Sequence, residues 1–152
     1  MTTLATLVFV ISSGKVLLIR KRRGFGAGKV NGVGGKVEEG EPLEEAARRE
    51  VLEEVGLTVR NVHHRGVLHF YSSDHVPDWV VHVFVADSYE GEVSGSDEAE
   101  PLWVPLGSIP FSEMWEDDRH WLPHVLSGYN VEGHFYFDGD YSRLIGFNLK
   151  VF

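Results

Sequence analysis

The chain has 152 residues, enough for one well-cored domain and short for two, and its 43% apolar and 12% aromatic content is that of a globular protein. Cysteine is absent, which excludes a disulfide framework or a thiolate metal site and fits a reducing, cytoplasmic setting. A formal net charge of −9 argues against extended contact with a nucleic-acid backbone, so no polymeric nucleic acid is expected as a partner.

The apolar run near the start has no basic residue before it and is followed by Ser12-Ser13-Gly14-Lys15. It therefore reads as a first strand rather than a signal peptide or membrane span. Strands are expected over 3–11 and 15–22, joined by a hairpin at Ser13-Gly14. The basic cluster Arg20-Lys21-Arg22-Arg23 can face a phosphate chain or be a solvated strand end. A glycine-rich loop then runs from Gly24 to Lys36. Glu41-Pro42 opens a helix, with proline suited to the first helical position, and Gly56 suits the left-handed position after its end. The segments Thr58–Tyr71 and Trp79–Ser88 are rich in β-branched and aromatic residues and predict long strands, with a short one at Leu102–Leu106. A second helix is predicted over Ser112–Leu126, capped by Ser112 and disturbed near its end by Pro123. His134–Phe137 and Leu144–Val151 complete the strands. Strands and helices do not alternate strictly, so the fold class is α+β, a mixed sheet sandwiched by helices, in one domain over 1–152.

The first helix carries the chemistry. Leu43, Ala46, Ala47 and Val51 form an apolar stripe at helical spacing. Glu50, Glu53 and Glu54 fall within roughly 100° of one another and near the azimuth of that stripe. Carboxylates so placed repel, and partial burial worsens the repulsion. A hard divalent cation with oxygen ligands removes the conflict. Standing alone, E-x-x-E-E is more often a solvated acidic face, as expected of Glu44 and Glu45.

Here the pattern does not stand alone. Gly35, Glu41, Arg49, Glu50, Val51, Glu53, Glu54, Gly56 and Leu57 match every defining position of the Nudix box, and the chain is identified as similar to the Nudix hydrolases. Beyond the box it resembles the MutT-homologue branch that acts on oxidised purine nucleoside triphosphates such as 8-oxo-dGTP. The matching residues are RGFGAG from Arg23, Asn31-Gly32, GGKV from Gly34, VHVF from Val81, Ser96-Asp97-Glu98, and IPFSEMWEDDRHW from Ile109 to Trp121.

That resemblance implies Mg²⁺, with Mn²⁺ able to substitute, held by Glu50, Glu53, Glu54 and a carbonyl at Gly34 or Gly35. It adds Glu98 as an outlying ligand, although on residue type alone Glu98 is an ordinary loop residue. The general base is expected to be Glu54, with Glu50 as the rival, and Arg49 to orient a glutamate by ion pairing. Asn31, Asp117 and Asp118 are expected to read the purine edge, since asparagine can both donate and accept. Two adjacent acids on one base cannot both stay ionised, so one should hold a proton and the pair should titrate as a unit. The plain alternative for Glu116-Asp117-Asp118 is an acidic first helical turn. Trp115 and Phe25 are expected walls, or core; Lys21, Thr6, Phe70 and Trp79 complete the implied substrate contacts.

Val30 and Val33 stand where that branch has larger aromatics, and Trp79 where it has methionine, so a reshaped base pocket is expected. None of the eight histidines has metal-ligand spacing, and His82, between Val81 and Val83, reads as structural. The expected activity is metal-dependent cleavage to nucleoside monophosphate and pyrophosphate by a monomer acting on a free nucleotide. Two alternatives stay open: the same box serving another substrate such as ADP-ribose or a dinucleoside polyphosphate, or a nucleotide-binding regulator without turnover. The second sits poorly with a box that keeps all its glutamates.

Overall fold

A computed structural model describes residues 1–73 and 75–152. Strand β1 (Thr3–Ser12) turns into β2 (Lys15–Lys21) with Val10 opposite Leu17 and Ser12 opposite Lys15. Ser13 and Gly14 take φ of 53° and 77°, the doubly left-handed turn that matches strand twist in a tight hairpin. Only the second half of β1 pairs with β2. Its first half pairs with a strand from the segment expected to be irregular: Gly24–Lys36 contains β3 (Val30–Asn31), on β2, and β4 (Val33–Lys36), on β1. Thr6 faces Gly35 and Leu7 faces Gly34. A Cβ on Gly34 would collide with the Thr6 carbonyl, so glycine there permits the pairing.

Helix α1 (Leu43–Val55) follows. Pro42, expected as its first residue, is extended (ψ 144°) and lies just outside, its carbonyl accepting the Ala46 N–H at 3.0 Å. Gly56 takes φ 76° at the other end. The expected strand Thr58–Tyr71 divides into β5 (Thr58–Val59) and β6 (Val62–Tyr71). Next come β7 (Trp79–Ala86), β8 (Tyr89–Glu90), paired with β5 alone, and β9 (Ala99–Pro105), which runs longer than expected because it pairs along all of β2.

The second helix is shorter than expected. Phe111–Glu113 is a 3₁₀ turn, Met114 is extended, and α2 covers only Asp118–Leu126, with Asp117 rather than Ser112 before its first turn. The helical signal yields to burial: extension at Met114 puts that side chain in the core, 3% exposed. β10 (Val131–Phe137) and β11 (Leu144–Val151) end the chain.

The sheet runs β11-β10-β6-β7-β1-β2-β3, with β4 also on β1 and β9 on β2. The β1–β7 and β6–β10 pairs are parallel, the others antiparallel, which makes the sheet mixed as expected. Alternation along β1 divides the core. Val8 and Val10 meet Ala47, Val51 and Val55 of α1, whereas Phe9 meets Trp121, Leu122 and Val125 of α2. No helix among the described residues is long and apolar enough to cross a membrane. Because β1 changes partner from β4 to β2 midway, the two helices flank a split in the sheet's edge, and the site opens there.

Candidate functional site

A cavity of about 450 Å³ is lined by residues from both sides of this split, and two acidic groups face it. The first is borne by α1 and β4. Glu54 Oε2 accepts the Gly34 N–H at 3.2 Å, and a Cβ on Gly35 would lie 2.6 Å from the Glu50 carboxylate. The glycines thus bring strand backbone against helix carboxylates, closer than any side chain allows. Arg49 organises the group: it pairs bidentately with Glu41 (2.7 and 2.9 Å) and donates to Glu50 Oε1 at 2.8 Å and to the Lys36 carbonyl at 3.1 Å. This guanidinium holds the Glu41 carboxyl down at about 2. Glu54 has the opposite fate: burial, with repulsion from Glu50, pushes it up to about 7. Burial also raises Glu50, against the pull of Arg49.

Glu53 is 59% exposed, donates nothing to the cavity wall and lies 3.2 Å from Arg49. Consequently, among the described residues, no three acidic or histidine side chains converge into a ready-made metal cage. The donor set nonetheless fits a hard cation. Two part-buried carboxylates with raised proton affinity, and Glu98 and the Gly34–Gly35 backbone on the same wall, suit an ion that retains waters and takes further oxygens from phosphates. Lys21 lies on that wall too; its neighbours Arg20, Arg22 and Arg23 pair instead with Glu113, Glu100 and Asp97.

The second acidic group sits at the start of α2. Asp117 and Asp118 are 2% and 3% exposed. Trp121, one helical turn on, donates its indole N–H to Asp117 Oδ2 at 2.7 Å. Burial raises Asp117 to about 6, and burial together with the charge of Asp117 raises Asp118 well above its ordinary value. The two carboxyls titrate as a unit whose proton affinity burial raises, and Asp118 Oδ2 has no hydrogen-bond partner in the protein. Thr6 Oγ1, also on the cavity wall, is likewise buried and unpartnered. Buried polar atoms normally find partners, so two orphans in one cavity mark a place for a polar ligand. Asn31 accepts the Gly32 N–H at 2.9 Å with Oδ1, which leaves its amide NH₂ for such a ligand.

Aromatic faces complete the walls. Phe25 stacks on Trp115 with centroids 5.2 Å apart, and Phe70, Trp79 and Phe137 line the same space. Of the residues singled out from the sequence, Lys21, Phe25, Thr6, Asn31, Gly34, Gly35, Glu50, Glu54, Phe70, Trp79, Glu98, Trp115, Asp117 and Asp118 come together here, while Glu53 and Arg49 stand behind the wall. Val30 and Val33 correct the expectation of a reshaped pocket. Both are fully buried, on opposite sides of the sheet, and neither lines the cavity; of the three departures only Trp79 does. His82 hydrogen-bonds His64 at 2.8 Å, away from the site.

Sequence reading missed Lys29, whose ammonium lies 4.9 Å from the Trp115 ring centre, together with Trp121, Phe137 and Tyr141. Trp121 was findable, four residues from Asp117 on one helix face. Tyr141 carries no local signal.

Comparison with known proteins agrees with this geometry. The NUDIX domain family model matches residues 1–125. The chain is 52% identical over 136 residues to a Danio rerio protein named oxidized purine nucleoside triphosphate hydrolase, covering 90% of this chain and 87% of that one. It is 44% identical over 149 residues to the Mus musculus protein of the same name, covering 97% and 94%. Its structure resembles that of a Mutator MutT protein from Bacillus halodurans, with a TM-score of 0.88 at 29% identity and 97% of each chain covered.

Proposed function

The chain belongs to the Nudix family and is a Nudix hydrolase, and from that premise we propose that it cleaves oxidised purine nucleoside triphosphates, such as 8-oxo-dGTP, to the monophosphate and pyrophosphate. The observation that carries this is one cavity shared by the α1 carboxylates and a buried aspartate pair. Phosphate chemistry needs the first. The second, with the Asn31 amide, suits the donor–acceptor edge of a purine and offers a donor that an ionised carboxylate lacks. The names of the zebrafish and mouse relatives favour the same substrate class.

In this reading the cation is Mg²⁺, with Mn²⁺ able to replace it. Glu50, Glu54, Glu98 and the Gly34–Gly35 backbone hold it, and when bound it neutralises phosphate charge and favours hydroxide over water. Glu54 takes the proton from the attacking water. The Gly34 N–H orients it. Arg49 fixes Glu50 from behind, and Lys21 meets the phosphate chain. Water adds at a phosphorus of the triphosphate, the bridging P–O bond breaks, and pyrophosphate leaves. Asn31, Asp117 and Asp118 hold the base, and Phe25, Trp115 and Phe70 cover its faces. Thr6 and Trp79 fill the wall between base and phosphates. The protein acts as a cytoplasmic monomer on free nucleotides.

The test is a panel of 8-oxo-dGTP, 2-hydroxy-dATP, unmodified triphosphates, ADP-ribose and dinucleoside polyphosphates, read by pyrophosphate and monophosphate release with Mg²⁺. Preference for an oxidised purine is expected. Preference for ADP-ribose or a dinucleoside polyphosphate, or tight binding without hydrolysis, defeats the reading.

A further inference from the structure

Tyr141 stands in the β10–β11 turn with φ 60°, a left-handed conformation that a bulky L-residue rarely adopts. The turn is held from within: Asp138 accepts the Ser142 N–H and hydroxyl, each at 2.8 Å, and the Arg143 N–H at 3.2 Å. Held so, Tyr141 reaches across to the other side of the cavity and donates its hydroxyl to Asp78 Oδ2 at 2.6 Å. Asp78 is itself a junction. Its N–H donates to the Phe70 carbonyl at 2.8 Å, its own carbonyl accepts the Thr3 N–H at 2.8 Å, and Trp79 follows it directly. The Tyr141 ring lies 5.2 Å from Phe137 and meets Phe25 edge-on at 6.0 Å. Phe25 is 58% exposed, an aromatic face left open at the cavity.

We propose that Tyr141 is a specificity-determining positioning residue: its hydrogen bond to Asp78 latches the β10–β11 turn to the strand start that carries Trp79, and so fixes the distance between the two aromatic walls that receive the nucleoside. Without the latch the Tyr141 ring is free to swing away from Phe25, although Asp138 still holds the turn's backbone. A flat base then loses a wall held ready for it, which weakens binding because ordering that wall must accompany association. The carboxylates of α1 belong to other elements, so the chemical step is unaffected. This inference rests on the reading of the cavity as a nucleotide site.

The experiment is a double-mutant cycle on the whole chain, Tyr141→Phe, Asp78→Ala and the pair, with Asp78→Asn as the conservative variant. KM and kcat are measured for 8-oxo-dGTP, with direct titration of 8-oxo-dGMP as a readout that needs no turnover. Tyr141→Phe, which keeps the ring, is expected to raise KM and the monophosphate Kd about 3- to 10-fold with kcat within about twofold. Asp78 and the Tyr141 hydroxyl each also contact Ser72, so the double variant should be worse than Asp78→Ala by clearly less than the Tyr141→Phe effect, and Asp78→Asn, still an acceptor, should stay near the parent. Unchanged KM and Kd in Tyr141→Phe overturn the proposal, as do multiplicative effects in the pair or a fall in kcat at constant KM. Should the parent prefer a different nucleotide, the oxidised-purine reading fails, and the same cycle on that nucleotide judges the latch by the same criteria. Absence of binding by every nucleotide overturns both.

Discussion

Replacing Glu54 by glutamine should abolish turnover and at the same time stabilise the metal-free protein, an opposed pair of effects that follows from one buried charge. Burial and repulsion from Glu50 raise the Glu54 carboxyl from its ordinary 4.5 to about 7. A folded-state value above the unfolded one means that the folded protein holds its proton longer, so stability is full below about pH 4.5 and is lost as pH rises toward 7. At about 1.4 kcal/mol per pH unit, a difference of about 2.5 corresponds to about 3 kcal/mol above pH 7. Glu54 is not fully enclosed, and water reduces this to roughly 1–3 kcal/mol. Glutamine removes the charge and can still accept the Gly34 N–H. Melting in the presence of a chelator should therefore show Glu54→Gln more stable than the parent by roughly 3–8 °C at pH 8, with almost no difference at pH 4.5. Turnover should fall about 10²- to 10⁴-fold, the usual worth of a positioned base. A variant equally shifted at both pH values, or unshifted at pH 8, refutes the electrostatic account. Undiminished turnover removes Glu54 from its assigned role.

Asp117→Asn should raise KM for oxidised purines about 10-fold or more while the Mg²⁺ dependence is unchanged; equal losses for purine and pyrimidine triphosphates would contradict base recognition by the pair. Gly35→Ala drives a methyl to 2.6 Å from the Glu50 carboxylate, so melting should report a loss of about 1–3 kcal/mol and the Mg²⁺ concentration for half-maximal rate should rise. Wild-type stability with an unaltered Mg²⁺ requirement would show that the contact relaxes freely. Arg49→Lys cannot span Glu41 bidentately and Glu50 together, and kcat/KM should drop about 10- to 100-fold; full activity would mean that the carboxylates order themselves. Mg²⁺ added to the chelated parent should raise its melting temperature more at pH 8 than at pH 5.5, because ligation requires the carboxylates ionised. A shift that does not depend on pH would place the ion elsewhere.

How far the sequence reached depended on whether a residue's role is local. Helix α1 was legible because its stripe, its carboxylates and Gly56 all act within one element, and the observed helix starts within two residues of the expected one. The glycines at 34 and 35 were expected to offer a backbone ligand, but not to form a strand, since a two-residue β3 and a glycine-bearing β4 have no alternation to read. The segment from Ser112 to Trp115 carries sound helix signals and is not α-helical, because the sheet offers Met114 a buried site that a continuous helix would forfeit. Val30 and Val33 misled in a related way. A smaller residue beside a site suggests a larger site only if it faces the cavity, and strand parity sends both into the core. Tyr141 and Asp78 lie 63 residues apart in turns, and no spacing rule connects them.

The cavity resolves the same problem, buried acid, in two different ways. At Glu50 and Glu54 the facing backbone is glycine and an arginine stands behind, a setting that suits the proposed cation. At Asp117 and Asp118 the surroundings are Trp121, the first turn of α2 and the sheet core, which supply an indole donor at 2.7 Å, backbone N–H groups and the charge of Lys29. A divalent ion there would have to displace the indole donor and strip its own water for two carboxylates, which a proton shared by the pair does not require. In the proposed reading a neutral purine edge uses the raised proton affinity of this pair, and the carboxylates proposed for the metal and those proposed for the base are kept apart by the packing of α1 and α2 on opposite faces of one sheet.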